Sequence, residues 1–141
     1  MKNIMMITML FLSITYAVTT STEVVVDSKT KLEWQNEAVN KTESKSWEDA
    51  IAYCESLNLD EKTDWRLPNI NELKSLIDYE TDFNLAIIST LKLTTNDHPY
   101  WSSTTSPIDS TKVFEIYFSL GGRSHPSDKD TTKNFRCVRD Y

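Results

Sequence analysis

Glycine is almost absent from this chain. Its 141 residues include two, adjacent, at Gly121 and Gly122, so no spaced glycine-rich phosphate loop and no collagen repeat is encoded. Cysteine and histidine are equally scarce, two of each. A four-ligand zinc site would need all of them, and Cys54, His98, His125 and Cys137 match no finger or ribbon spacing. No cofactor motif is present. Positive charge is outnumbered: 15 Lys and Arg against 21 Asp and Glu give a net charge of −6. That balance disfavours a nucleic-acid partner, which requires a basic footprint. What is there is ordinary globular composition, 39% hydrophobic and 26% charged, rather than that of a disordered chain. The length suits one domain, since two would each have too small a core.

The one long apolar run lies at the start. Lys2 precedes positions 4–16, which are apolar apart from Thr8, Ser13 and Thr15, and Thr15-Tyr16-Ala17 offers small residues where a signal peptidase cuts. The run is shorter than the roughly 20 residues of a spanning helix. The reading is a cleaved signal peptide, residues 1–17, and a single domain over residues 18–141, with no membrane span after cleavage. The mature chain is then secreted, periplasmic or at the cell surface. No Cys precedes Cys54, so a lipid-anchoring cysteine is absent. Loss of Lys2 takes the net charge from −6 to −7.

Export changes what the cysteines mean. An even pair in an oxidising compartment predicts a Cys54–Cys137 disulfide. Closing that loop stabilises by about 4.5 kcal/mol on the chain-entropy account. The rival, two free thiols with one a nucleophile, lacks a histidine nearby in sequence.

Hydrophobic periodicity organises the rest. Glu23, Val24, Val25 and Val26 predict a strand, Asp27 to Thr30 a turn, and Lys31, Leu32, Glu33 and Trp34 a second strand. Positions 35–45 are polar and aperiodic. Ser46, with Asp49 three residues on, starts a helix whose face is Trp47, Ala50, Ile51, Cys54 and Leu57. Positions 58–62 form an acidic exit loop, and Asp64, Trp65, Arg66 and Leu67 before Pro68 are extended. Asn69 caps a second helix with Glu72 in the capping-box position and Ile70, Leu73, Leu76 and Ile77 inward. Positions 79–99 are mixed, with a short aliphatic turn at 85–88. Strands follow at 100–104 and 113–120, the second with Phe114, Ile116, Phe118 and Leu120 facing the core. Gly121-Gly122 reads as a two-residue hairpin turn, positions 126–132 as loop, and positions 134–138 as a closing strand carrying Cys137. Early helices and late antiparallel strands indicate α+β.

These residues carry a resemblance. Val26-Asp27, Thr30-x-Leu32-x-Trp34-Gln35, Ser46-Trp47-Glu48-Asp49-Ala50-x-x-Tyr53-Cys54, Asp64-Trp65-Arg66-Leu67-Pro68-Asn69-x-x-Glu72-Leu73-x-x-Leu76, Tyr100-Trp101-Ser102-Ser103-Thr104 and Phe135-Arg136-Cys137-Val138-Arg139 follow one another in an order that resembles the Lcl C-terminal domain family. That family was formerly a domain of unknown function, and is named for a legionellar collagen-like adhesin. The likeness runs from about Val24 to Asp140. The Arg-Leu-Pro element and the Phe-Arg-Cys-Val-Arg end are also similar to the wider C-type-lectin-like group, which includes the formylglycine-generating, sulfatase-modifying proteins. The resemblance implies a C-type-lectin-like α+β domain, two helices packed on twisted antiparallel strands. The family usually has Gly where this chain has Lys31. The adhesin's collagen-like stalk is missing, so a stalk-driven trimer is not implied and the oligomeric state stays open. The triplets with which C-type lectins hold calcium and sugar are also missing.

Trp34, Trp47 and Trp65 are read as packing residues of their motifs rather than sugar platforms. For Trp101 both readings stand. Arg66 and Arg136 are read as pinning strands through carboxylates, with Pro68 as part of the same structural set. A candidate binding surface is Trp101, Arg123, His125, Lys129 and Lys133; the dense basic stretch Arg123, Lys129, Lys133, Arg136 and Arg139 is diluted by Asp128, Asp130 and Asp140. His125 with Asp128 and Asp130 fits a solvated loop better than a metal or acid–base cluster. Asn40-Lys41-Thr42 matches a glycosylation sequon. No catalytic residue, metal ligand or cofactor site is assigned. The leading expectation is an exported, non-enzymatic adhesin-type module for a carbohydrate or protein surface. The alternatives are a structural subunit of a surface assembly and an enzyme akin to the formylglycine-generating group. The resemblance implies sulfated polysaccharides as ligands; a domain at −7 would repel them.

Overall fold

The computed structural model describes residues 23–36, 44–79 and 98–141. The expected signal peptide, the sequon at Asn40 and the turn at 85–88 lie outside them.

Three valines start β1 (Val24–Asp27), which pairs antiparallel with β2 (Leu32–Gln35), and β2 pairs with β6 (Val138–Asp140). β-Branched residues favour this pleated geometry. The turn between β1 and β2 is tied by the Asp27 carboxylate, which accepts from the Lys29 N–H at 3.0 Å and the Thr30 hydroxyl at 2.6 Å. Lys31, at the position the family usually gives to glycine, takes φ 62°, the left-handed region glycine favours.

Both helices form where their caps are. Ser46 accepts from the Asp49 N–H at the start of α1 (Trp47–Ser56). Asn69 and Glu72 form a complete capping box on α2 (Ile70–Ser75). The expected helix faces pack inward. Ala50 and Cys54 are buried, with Trp47, Ile51 and Leu57 beside them; Ile70, Leu73, Leu76 and Ile77 are all buried. The Cys54–Cys137 disulfide is present, S–S 2.04 Å, tying α1 to the segment just before β6.

The second sheet has the order β3 (Tyr100–Thr105), β4 (Lys112–Tyr117), β5 (Arg123–Asp128), all antiparallel. Here one expectation is extended and three are corrected. First, β4 buries both faces: Ile116, with Phe118 just beyond the strand, faces α2 and the first sheet, while Val113 faces α1 and Glu115 on the same face is also buried. Strict alternation marks one core face only when the other is wet. Second, the β4–β5 connection is not a two-residue turn. A 3-10 turn (Phe118–Leu120) precedes Gly121 and Gly122, at φ 65° and 77°. A side chain on Gly122 would stand 2.0 Å from Ile77 Cδ1, so packing as well as backbone angle demands glycine there. Third, Pro126, Ser127 and Asp128 belong to β5; an edge strand tolerates proline because its outward N–H has no ladder partner. Fourth, residues 134–137 are irregular, and the closing strand begins at Val138.

Two cores result. One joins the first sheet, α2 and the second sheet through Trp34, Leu73, Tyr100, Ile116 and Phe118. The other joins α1 to the opposite face of the second sheet through Cys54, Trp65, Trp101, Val113 and Phe135.

Candidate functional site

The sequence candidates converge on the α1 side of the second sheet. Residues 44–47 and 129–134 run beside each other: Lys45 and Lys133 exchange both backbone hydrogen bonds at 3.0 Å, and the Trp47 N–H donates to the Lys129 carbonyl at 3.1 Å. This pairing sets lysines over rings. The Lys129 ammonium lies 4.5 Å from the centroid of Trp47, that of Lys133 4.9 Å from Trp101, and that of Lys45 5.7 Å from Tyr53. Each stem covers apolar surface while its charge is drawn to the ring face.

The rings are held by their own polar atoms. The Trp47 indole N–H donates to the Ser102 carbonyl at 2.9 Å, and that of Trp101 to the Lys45 carbonyl at 2.9 Å. Trp101 is fully buried. It is the floor beneath Lys133, and offers no ring face to a ligand from solvent. Trp34 and Trp65 are buried in the cores.

Beside Trp101 stands Glu115, its side chain 2% exposed. His125 Nε2 approaches one carboxylate oxygen at 2.7 Å and Lys133 Nζ the other at 2.7 Å. Tyr117 stacks on His125 with centroids 5.5 Å apart. The Tyr117 phenol is pushed above its ordinary value, by burial first and then by the Glu115 charge and hydrogen bond. So His125, exposed as a residue, has as its partner a carboxylate across the strand, not Asp128 or Asp130. Asp128 points to the other face of β5 and pairs with Lys112 at 3.1 Å. Arg123 is exposed on the same face as His125, two residues back along β5.

Two shallow depressions flank Lys129. One of about 350 Å³ is lined by Ser46, Glu48, Lys129 and Asp130, the other of about 290 Å³ by Thr111, Asp128, Lys129 and Asp130. Among the described residues, no three of His, Cys, Asp and Glu gather as a metal ion requires, and no helix is long and apolar enough to cross a membrane.

The structural arginines sit elsewhere. Arg66 grips Glu72 with two bonds of 2.8 Å and reaches Asp140 at 3.0 Å. Arg136 is buried and donates to the Gln35 carbonyl at 2.6 Å; burial lowers its pKa, partly opposed by Tyr100. Sequence reasoning missed Glu115. The available signal was one carboxylate set between Phe114 and Ile116 in a strand that is mostly apolar after Lys112.

Fold and site together define a disulfide-tied α+β domain whose two sheets share a core and whose α1 side carries a ridge of lysines on aromatic rings. The profile of the Lcl C-terminal domain family matches residues 23–139, nearly all of the chain beyond the apolar start, and the chain belongs to that family. No curated protein matches it.

Proposed function

We propose that the chain is an exported, non-enzymatic binding module of the adhesin type, which recognises a carbohydrate or protein surface with the ridge around Lys129. The observation that carries this reading is the set of lysines laid over Trp47, Trp101 and Tyr53, fixed by strand-like pairing of residues 44–47 with 129–134. A surface that mixes ring edges, ammonium groups and the hydroxyls of Ser46 and Thr111 suits a ligand with apolar faces and many hydrogen-bonding oxygens. The disulfide is consistent with an oxidising compartment and supports export. It also supports the non-enzymatic reading, because it occupies both thiols that chemistry of the formylglycine-generating kind would use. Two helices around antiparallel sheets, one built from strands of both chain ends, support kinship with the C-type-lectin-like group.

The ion pairing argues for a ligand of low charge. Lys62, Lys112, Lys133, Arg66 and Arg139 each already face a carboxylate within 3.1 Å. A sulfated chain would compete with those partners in a domain that is itself acidic. The mature domain is therefore expected to bind a glycan array's uncharged members in preference to sulfated ones, and to leave a heparin column below about 0.2 M salt, where screening already weakens surface contacts. Retention well above that, lost in an Arg123→Glu/Lys129→Glu variant, would make sulfated chains the ligand. Lys133 is left intact in this test, because reversing it would set a second carboxylate against the buried Glu115 over Trp101.

A further inference from the structure

On the α1 side of β5, Arg123, His125 and Ser127 stand in a row, because alternate residues of a strand share a face. Neighbours in such a row are about 7 Å apart. Arg123 and His125 are exposed, and Ser127 is half-buried. Lys62, Lys112, Lys133, Arg66 and Arg139 are all spent on carboxylates. Arg123 is not: among the described residues no carboxylate pairs with its guanidinium.

His125 is fixed from below and open above. Its Nε2 lies 2.7 Å from the Glu115 carboxylate, and its ring rests on Tyr117 with 18° between the planes. Nδ1 is therefore the nitrogen left to a ligand, on a side chain 49% exposed. Tyr117 stands opposite Arg123 in the β4–β5 register. Burial and the nearby Glu115 raise its pKa, so it keeps its proton and adds no negative charge beneath the row. Lys133, 2.7 Å from the other Glu115 oxygen, answers that carboxylate from the far side. With two protons on His125, the row presents a guanidinium fork, an Nδ1–H and a hydroxyl.

We propose that Arg123, His125 and Ser127 form a subsite for an acidic sugar, a pyranose carrying one carboxylate. The planar carboxylate accepts from the Arg123 fork and from Nδ1–H of charged His125, one group of two oxygens for two donors. Ring hydroxyls of the same sugar reach the Ser127 hydroxyl, since the row is as long as one pyranose with its exocyclic carboxylate. A peptide carboxylate lacks those hydroxyls and fills only half of the row. One carboxylate also keeps the ligand's charge low, unlike a sulfated chain. The proposal rests on the reading of this side of the domain as the ligand surface, and adds the class of ligand.

The test titrates the mature chain, by amide and imidazole NMR, with methyl β-glucuronide, methyl β-glucoside and a blocked glutamate. The glucuronide is expected to bind on the order of tenfold tighter than either of the others, with shifts centred on Arg123, His125 and Ser127. Glu115 and Tyr117 face His125 from β4, Lys133 from the segment alongside and Arg123 from its own strand. Falling pH adds the second proton to His125 while the ligand stays ionised. The glucuronide should therefore bind about fivefold tighter at about pH 5.5 than at about pH 8. Arg123→Gln should reduce its affinity to that of the glucoside without changing the melt. His125→Gln, whose amide still donates to Glu115, should keep the fold and abolish the pH dependence. Equal affinity for the glucuronide and either other probe would overturn the proposal. So would unchanged binding in Arg123→Gln, a pH dependence that survives His125→Gln, or no shift with any probe. The glycan array and heparin column test the broader ligand-surface reading separately, so the subsite can fail while that reading stands.

Discussion

Each sheet buries one glutamate on its middle strand, and the two are provisioned differently. Glu33 on β2, its side chain 4% exposed, is held by Lys62 Nζ at 2.9 Å and Arg139 at 2.6 Å. Arg139 in turn grips Asp64 at 2.6 and 3.1 Å. Burial alone would raise the Glu33 pKa; the hydrogen bonds and charges of Lys62 and Arg139 outweigh it and hold the carboxyl below its ordinary range. The hydrogen bond from Arg139 likewise lowers Asp64, and those to Asp64 and then Glu33 raise Arg139 well above its ordinary value. Glu115 on β4 has instead one lysine and one histidine. The first site is built from groups whose charge never changes near neutrality and serves as a tie between β2, β6 and the segment before α2. The second includes a histidine open to solvent, beside rings and lysines, and lies on the ridge proposed above as the ligand surface.

The largest effect that separates the two halves is loss of the disulfide, because it joins α1, under the second sheet, to the segment leading into β6. Cys54→Ser/Cys137→Ser should lose about 4.5 kcal/mol, read by denaturant unfolding against the wild type. An unchanged midpoint would mean the halves are coupled by packing alone. Next come the cores themselves. Trp65→Ala in the α1 core and Phe118→Ala in the α2 core should each cost about 3–5 kcal/mol. Trp65 also donates its indole N–H to the Lys62 carbonyl at 3.0 Å, so its loss should loosen Lys62 on Glu33 too. A wild-type melting temperature in either variant would contradict the core assignment.

Acid should sharpen the contrast between the carboxylates. Because Glu33 and Asp64 titrate lower in the folded chain than unfolded, their contribution is complete above the unfolded carboxylate range and is lost as pH falls through the lowered folded values. Thermal melts from neutral pH downwards should therefore show a steep loss below about pH 4.5. Arg139→Ala should flatten that limb, and His125→Ala should leave it in place. The smallest effect is a gain. Lys31 at φ 62° and Glu61 at φ 60° hold left-handed backbone without glycine. Glu61 and Asp60 form the tight turn that closes the Leu59–Lys62 bridge and aims Lys62 at Glu33. Lys31→Gly and Glu61→Gly should each stabilise by about 0.5–1 kcal/mol, read as a modest rise in melting temperature.

Local chemistry was legible where it is self-contained. Ser46 and Asn69 announce helices because a cap needs only the next few residues. The apolar spacing of Ala50, Cys54, Leu73 and Leu76 shows the buried faces because a helix carries its own period. The Asp27 turn was readable for the same reason, and the cysteine pairing because two thiols leave one pairing. What was not legible depends on partners distant in the chain. Residues 58–62 gave no hint of a strained turn, whose left-handed backbone is maintained by the ladder it closes.

The sequence by itself determined the α+β class, the two capped helices, the succession of helices and strands along the chain and the disulfide, since each rests on periodicity, capping or a count of thiols. Only the tertiary structure decided what the charged and aromatic residues do. It turned β4 into a strand buried on both faces, put Glu115 under His125 and Lys133, and laid Lys129 on Trp47. Those placements arise from contacts between segments far apart in sequence, where burial makes an unpaired charge or backbone group costly and so dictates which partners must meet.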